Sequence, residues 1–192
     1  MGITATADAD RFLALLQPIE RDLETYARRL IWEPQEAPDA LQNAVMRGFA
    51  AFDRYHEDAS FRAWMFKILT HEAFALNRKH ARIARYEFQL EPEELAGLKC
   101  ADEQVQVGDA VLSADALNEA LKPAVSAALK TLTETERAVL LLRSIGGLRY
   151  REISESLGIP LGSVMGNLGR ARQKMRALIT RSTPLTTLLK EN

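Results

Sequence analysis

The sequence predicts an all-α protein of two small helical domains joined by an acidic linker, and three stretches carry that prediction. From Leu129 to Leu178 the residues suit a helix, a glycine turn, a short helix, a second glycine turn and a longer helix. From Asp10 to Tyr86 apolar residues recur at three- and four-residue steps, broken by prolines and one polar loop. From Glu87 to Glu119 no period is sustained, nine acidic residues stand against one basic residue, and Pro92, Gly97 and Gly108 interrupt the chain. The boundaries expected from this pattern are 8–87 for the first domain, 88–122 for the linker, 123–182 for the second domain and 183–192 for a tail.

In the second domain, Thr133 and Glu136 have the spacing of a capping box ahead of Ala138, Leu141, Leu142 and Ile145. Gly146 and Gly147 stop that helix. Tyr150 to Leu157 is a short helix with Ile153 and Leu157 on one face, and Gly158 supplies the positive φ of a tight turn. Pro160 suits the start of a third helix, reaching about Ile179, with Val164 and Leu168 packing inward. This is a helix-turn-helix pattern, with a basic flank of Arg170, Arg172, Lys174 and Arg176. Such a unit fits a DNA major groove, leading turns toward bases and cations toward phosphates.

In the first domain, Phe12, Leu15, Leu16, Ile19, Leu23, Tyr26 and Leu30 predict a helix bent near Pro18. Asp39 is expected to open a second helix, with Leu41, Val45, Phe49 and Phe52 as its buried stripe. After the loop Asp53 to Ala59, Ser60 caps a third helix running to about Tyr86, with Trp64, Ile68, Ala75 and Leu76 inward. In the linker, a single helical turn is expected at Pro92 to Leu95.

A formal net charge of −1 suits a DNA binder only once it is divided along the chain. Residues 1–86 carry twelve bases and twelve acids, whereas 129–181 carry ten bases and four acids. Within the first domain Arg62, Lys67, Arg78, Lys79, Arg82 and Arg85 stand against Glu72 alone. Two cationic surfaces on separately folded modules, held apart by a negative tether, suggest two contacts on one polyanion. The single Cys100 excludes an internal disulfide and fits a reducing cytoplasm. The opening MGITATADAD lacks the basic and apolar segments of a signal peptide, and no apolar run is long enough to span a membrane. His56, His71 and His80 have no ligand spacing on one helical face, and no phosphate loop or nucleophile motif is present, so neither metal, cofactor nor enzymatic activity is expected.

The segment TETERAVLLLRSIGGLRYREISESLGIPLGSV followed by GRARQKMR resembles region 4 of bacterial RNA polymerase sigma factors of the sigma-70 type. PDALQNAVMRGFAAFDRY, SFRAWMFKIL and NRKHAR resemble region 2, and the order of the two is similar to the extracytoplasmic-function (ECF) group. The resemblance implies binding to core RNA polymerase, recognition of a promoter at two elements and help in opening the duplex. By that analogy Asp39, Leu41, Gln42, Met46 and Phe49 would dock on the clamp helices of the polymerase beta-prime subunit, with Asp39 and Gln42 matching a D-x-x-Q pattern. Arg54, Tyr55 and His56 would capture an unstacked base of the −10 element, with His71 close by and Arg78, Lys79, Arg82 and Arg85 on phosphates. Ser163, Met165, Gly166 and Asn167 would face bases of the −35 element, and Arg170, Arg172 and Lys174 its phosphates. The linker would thread the polymerase channel.

The group implies an inhibitory anti-sigma protein partner, often anchored in the inner membrane, with the chain itself cytoplasmic and without a small-molecule substrate. Met165 and Asn167 stand where relatives commonly carry Lys and Arg; His71, Ala75 and Asn43 replace the usual Asn, Asp and Glu. Those departures motivate an alternative, a sigma-like decoy that sequesters an anti-sigma regulator without contacting promoters. An ordinary repressor leaves the first domain and the linker unexplained.

Overall fold

The computed structural model describes residues 2–56, 60–90 and 123–182, with side chains over 7–56, 60–83 and 123–179. The turn expected at Pro92 to Leu95 lies outside the described residues, among which all regular structure is helical. Helix α1 (Gly2–Leu16) passes through a 3-10 turn at Gln17–Ile19 into α2 (Glu20–Leu30). Pro18 has no N–H to donate and its ring crowds the preceding turn, so the bend falls there, as the sequence predicts. A second 3-10 turn, Pro34–Glu36, leads into α3 (Ala37–Ala50), followed by α4 (Phe61–Leu90). Ser60 Oγ accepts from Ala63 N at 3.2 Å and caps α4.

Two expectations for this module are corrected. Asp39 does not cap α3; it sits in the first turn, where its charge favours the helix dipole, and Glu36 holds the cap position. The buried edge of α3 is Ala37, Ala40, Ala44 and Gly48, while Leu41 and Val45 are half-buried flanks and Phe49 is 44% exposed. The cause is close packing against α2 and α4: a Cβ on Gly48 would lie 2.8 Å from Met65 Sδ, so the larger stripe has no room. The same one-residue phase error runs through α4, whose inward residues are Phe61, Met65, Phe66, Leu69, Ala73 and Asn77. Trp64, Ile68 and Leu76 are half-buried and Ala75 is exposed.

Phe12 anchors one end of the core, with its ring edge-on to Phe49, Phe52 and Phe61 at 5.5, 5.3 and 5.6 Å. Tyr26 anchors the other end: it is fully buried, edge-on to Phe66, and hydrogen-bonded to Thr70 Oγ1 at 2.7 Å. Burial pushes its hydroxyl well above the ordinary tyrosine value, the Thr70 bond opposing only in part, so it stays protonated.

The second module holds α5 (helical at 123–130), α6 (Glu134–Ser144), α7 (Tyr150–Leu157) and α8 (Leu161–Ser182). The capping box forms as read: Glu136 N donates to Thr133 Oγ1 at 3.2 Å, and Thr133 N to Glu136 Oε2 at 3.1 Å. Gly147 and Gly158 take φ of 67° and 63°, conformations closed to most side chains, and so set the two turns. Ile153, Val164, Leu168 and Ala171 close the core over Leu141 and Leu142.

The modules are not held apart. Helix α2 packs on α6, α4 packs on α6 and α7, and the buried apolar residues of both modules join in one cluster. Three polar side chains of α4 cross the junction. Arg62 donates to the carbonyls of Gly146 at 2.5 Å and Ile145 at 2.8 Å, beyond the C-terminus of α6, and to Asp22 Oδ2 of α2 at 2.6 Å. Asn77 donates to Glu134 Oε1 at 3.0 Å and to Leu30 O at 3.3 Å, and accepts from Trp32 N at 3.1 Å. His71 Nε2 lies 3.2 Å from Ser156 O.

Removing the Arg62 guanidinium should therefore loosen the junction. Arg62→Ala is expected to cost about 1–3 kcal/mol and to raise the radius of gyration in small-angle scattering. An unchanged radius and thermal midpoint would show that apolar contact alone holds the modules.

Candidate functional site

Three surfaces carry the residues singled out in the sequence. On α3, the 3.6-residue period places Asp39, Gln42, Asn43, Met46 and Phe49 on one outward face, all of them exposed. Met46 is 63% exposed and Phe49 44%, and neighbouring Leu13 of α1 is 57% exposed. Leu41 is turned away, half-buried against the core. The remaining four expected residues thus share a surface that is polar toward the helix N-terminus and apolar toward its C-terminus.

The second surface is the α3–α4 junction and the outer length of α4. Tyr55 is half-buried in an aromatic group, stacked on Phe52 with 5.8 Å between ring centres and tilted over Trp64 at 5.3 Å. Arg54 and His56 are exposed beside it, and residues 57–59 of the same loop lie outside the description. Arg78, Lys79 and Arg82 are exposed and form no ion pair among the described residues, so their charge is available to a polyanion. Arg85 continues the row along α4, its side chain outside the description. His71 shares a face with Arg78 and Arg82, seven and eleven residues on, but its ring nitrogen is turned to the Ser156 carbonyl of α7. His80 pairs with Glu36 at 2.5 Å and ties α4 to the start of α3.

The third surface is α8. Successive residues turn by about 100°, so the basic flank divides into two rows instead of one. Arg170 and Lys174 form one row, and Arg172 and Arg176 the other, turned about 200° away. The first row closes on Glu136, which is 4% exposed in its side chain: Lys174 Nζ reaches Glu136 Oε2 at 2.7 Å and Arg170 Nε reaches Oε1 at 3.3 Å. Burial alone would raise the Glu136 carboxyl. Lys174, the Thr133 N–H and Arg170 outweigh it and hold the carboxyl below its ordinary value. The Arg170 side chain nonetheless stays 59% exposed, and Arg172 is exposed with no ion pair among the described residues. Of the residues expected at bases, Ser163 and Met165 are exposed, and Gly166 and Asn167 are half-buried. The Asn167 amide is already engaged, donating to Ser163 O at 2.8 Å and accepting from Arg170 Nη2 at 3.0 Å.

Sequence reasoning passed over Arg62 and Asn77 as junction residues and saw Glu136 only as a cap. A carboxylate in a capping box whose helix packs beside a basic row was the one available signal. No described helix is long and apolar enough to cross a membrane. Among the described residues no group of three or more His, Cys, Asp or Glu side chains could hold a metal ion.

A helical module with a basic α4 and a helix-turn-helix with a basic α8 define a two-module nucleic-acid-binding class. The family description "Sigma-70 region 2" matches residues 15–83, and "Sigma-70, region 4" matches residues 123–175. The chain is 29% identical over 163 residues to the ECF RNA polymerase sigma factor SigE of Mycolicibacterium smegmatis, covering 83% of this chain and 58% of that protein. It is 26% identical over 170 residues to the ECF sigma factor SigW of Bacillus subtilis, covering 88% and 89%. The ECF sigma-E factor of Escherichia coli is 27% identical over 154 residues, covering 76% and 77%. In fold the chain resembles the sigma factor RpoE of Bartonella quintana, solved with the anti-sigma factor NepR, at a TM-score of 0.67, 22% identity and coverage of 88% and 97%. It also resembles CnrH, solved with the cytosolic domain of CnrY, at a TM-score of 0.63, 24% identity and coverage of 93% and 94%. The chain belongs to the sigma-70 family, in its ECF group.

Glu136→Gln keeps an oxygen for the Thr133 N–H and removes the charge. At neutral pH the substitution is expected to cost about 1–2 kcal/mol in thermal unfolding. A carboxyl held below its ordinary value of 4.5 stabilises the fold above that pH, and the contribution fades as pH falls through the lower folded value. Variant and wild type should therefore converge in acid. A gap that persists there would exclude the charge as its source.

Proposed function

We propose that this chain binds core RNA polymerase, brings it to promoters at a −10 and a −35 element, and assists duplex opening, without chemistry or a cofactor of its own. The observation supporting this most is the two sigma-70 matches in chain order, each on a module with an exposed cationic row. The exposed α3 face of Asp39, Gln42, Met46 and Phe49 is the proposed polymerase contact, because it leaves two large apolar side chains uncovered. Arg54, Tyr55 and His56, with Arg78, Lys79, Arg82 and Arg85, are assigned to the −10 element. Arg172 and the exposed end of Arg170 are assigned to phosphates at the −35 element. Domain limits of 8–87 and 123–182, with 88–122 as linker, follow from the same reading.

Two relatives in fold were solved with the anti-sigma factor NepR and with the cytosolic domain of CnrY. We infer a protein inhibitor for this chain too, acting in the cytoplasm or holding it at the inner membrane where the inhibitor is anchored. Pairing of Arg170 and Lys174 with Glu136 favours a second reading, the decoy, because it withdraws part of the cationic surface that DNA needs.

Mixing the protein with core polymerase and a promoter library separates the two. Specific transcripts support the initiation factor; polymerase binding with no promoter preference supports the decoy. For the initiation factor, Arg172→Ala is expected to weaken DNA binding evenly across sequences and to lower the salt slope by about 1. An unchanged slope would remove Arg172 from the phosphate set.

A further inference from the structure

The leading turns of α8, residues 161–169, contain no charged side chain. Two large apolar groups on them are exposed: Leu161 is 39% exposed and Met165 49%, four residues apart and therefore on one face. Val164 and Leu168 fill the core, so Leu161 and Met165 are surplus to it. The polar alternative on this stretch is largely occupied. To read adenine an Asn must present its carbonyl oxygen and its amino group together. Each end of Asn167 already holds one partner within the helix, Arg170 Nη2 on the oxygen and Ser163 O on the amino group, which fixes the plane of the amide. The exposed hydroxyl of Ser163 remains, but it lies two residues from Leu161 and from Met165 and so on the opposite flank of the helix.

Basic residues begin immediately after this stretch, at Arg170 and Arg172, so the helix is apolar at its leading end and cationic behind it. A polyanion satisfies the cationic half. The apolar half then meets the edge of the same polyanion, and the apolar feature that duplex DNA presents in its major groove is the C5-methyl group of thymine. Met165, unbranched and polarisable, can follow such a methyl across small changes of register.

We propose that Leu161 and Met165 are specificity-determining residues that read thymine methyl groups in the upstream promoter element. The proposal rests on the promoter-binding reading and adds to it a named base feature.

The test uses holoenzyme, the full chain with core polymerase, and promoter fragments that it enriches from a random library. Each fragment is resynthesised with deoxyuridine replacing thymidine in the upstream element, a change that removes the methyl and keeps the pairing. Binding by the wild type is expected to weaken about three- to fivefold per contacted methyl. Holoenzymes carrying Met165→Ala or Leu161→Ala should bind thymidine and deoxyuridine fragments more nearly alike. Both side chains are exposed, and an unchanged thermal midpoint for the free variants establishes that the fold is kept. Equal wild-type binding to both fragments overturns the thymine reading while leaving promoter binding intact. A variant that keeps the full wild-type preference for thymidine removes that residue from the assignment. A holoenzyme that enriches no fragment overturns the promoter reading, and this proposal with it.

Discussion

The arrangement of the second module depends on one buried carboxylate. Glu136 closes the first turn of α6 by accepting from Thr133 N, and on its other side it holds Lys174 and Arg170 of α8. A carboxylate this buried is costly unless its lone pairs are used, and three donors use them. Because Glu136 sits between α6 and α8, it draws Arg170 and Lys174 back toward the protein while Arg172 and Arg176 turn out. The division of the cationic flank into two rows thus follows from helical geometry together with one ion-pair cluster.

The junction between the modules is built differently. Its floor is apolar, but its specific contacts are a guanidinium on free carbonyls, an amide shared among three groups and an imidazole at a carbonyl. Carbonyls at a helix C-terminus have no partner within the helix and lie at its negative end, so Arg62 gains from both properties. Such contacts can be exchanged for water at a small net cost, unlike the Phe12 and Tyr26 cores. Junctions of this polar kind resemble transient interfaces more than domain cores.

Local chemistry was legible in the sequence wherever a residue type has only one comfortable conformation. Pro18 placed the bend, Gly147 and Gly158 the turns, Thr133 with Glu136 the cap, and Val164 with Leu168 the inward face of α8. The phase of α3 and α4 differs by one residue from the one their largest apolar residues predict. At a close helix crossing the small residues go inside, and Ala40, Ala44 and Gly48 let Met65 approach while Leu41 and Val45 move to the flank. Asp39 was misplaced for a related reason: it follows Pro38, and helical conformation had already begun at Ala37.

For the candidate surfaces, exposure could be read from the sequence but partnership could not. Arg78, Lys79 and Arg82 are exposed, as their outward spacing suggested, and form no ion pair among the described residues. Arg170 and Lys174 are exposed or half-buried too, but both reach a carboxylate more than thirty residues earlier, on another helix. His71 and Asn77 are on α4 as expected, yet their polar atoms serve the second module. A long-range ion pair leaves no periodic trace: it needs one carboxylate at one depth, and sequence spacing sets neither. The same limit applies to Asn167, whose amide spends one N–H on Ser163 O and one lone pair on Arg170, bonds that spacing alone does not announce. With the first basic row partly drawn toward Glu136, the outward chemistry of α8 is shared by its apolar leading turn, the exposed end of Arg170, and the row of Arg172 and Arg176.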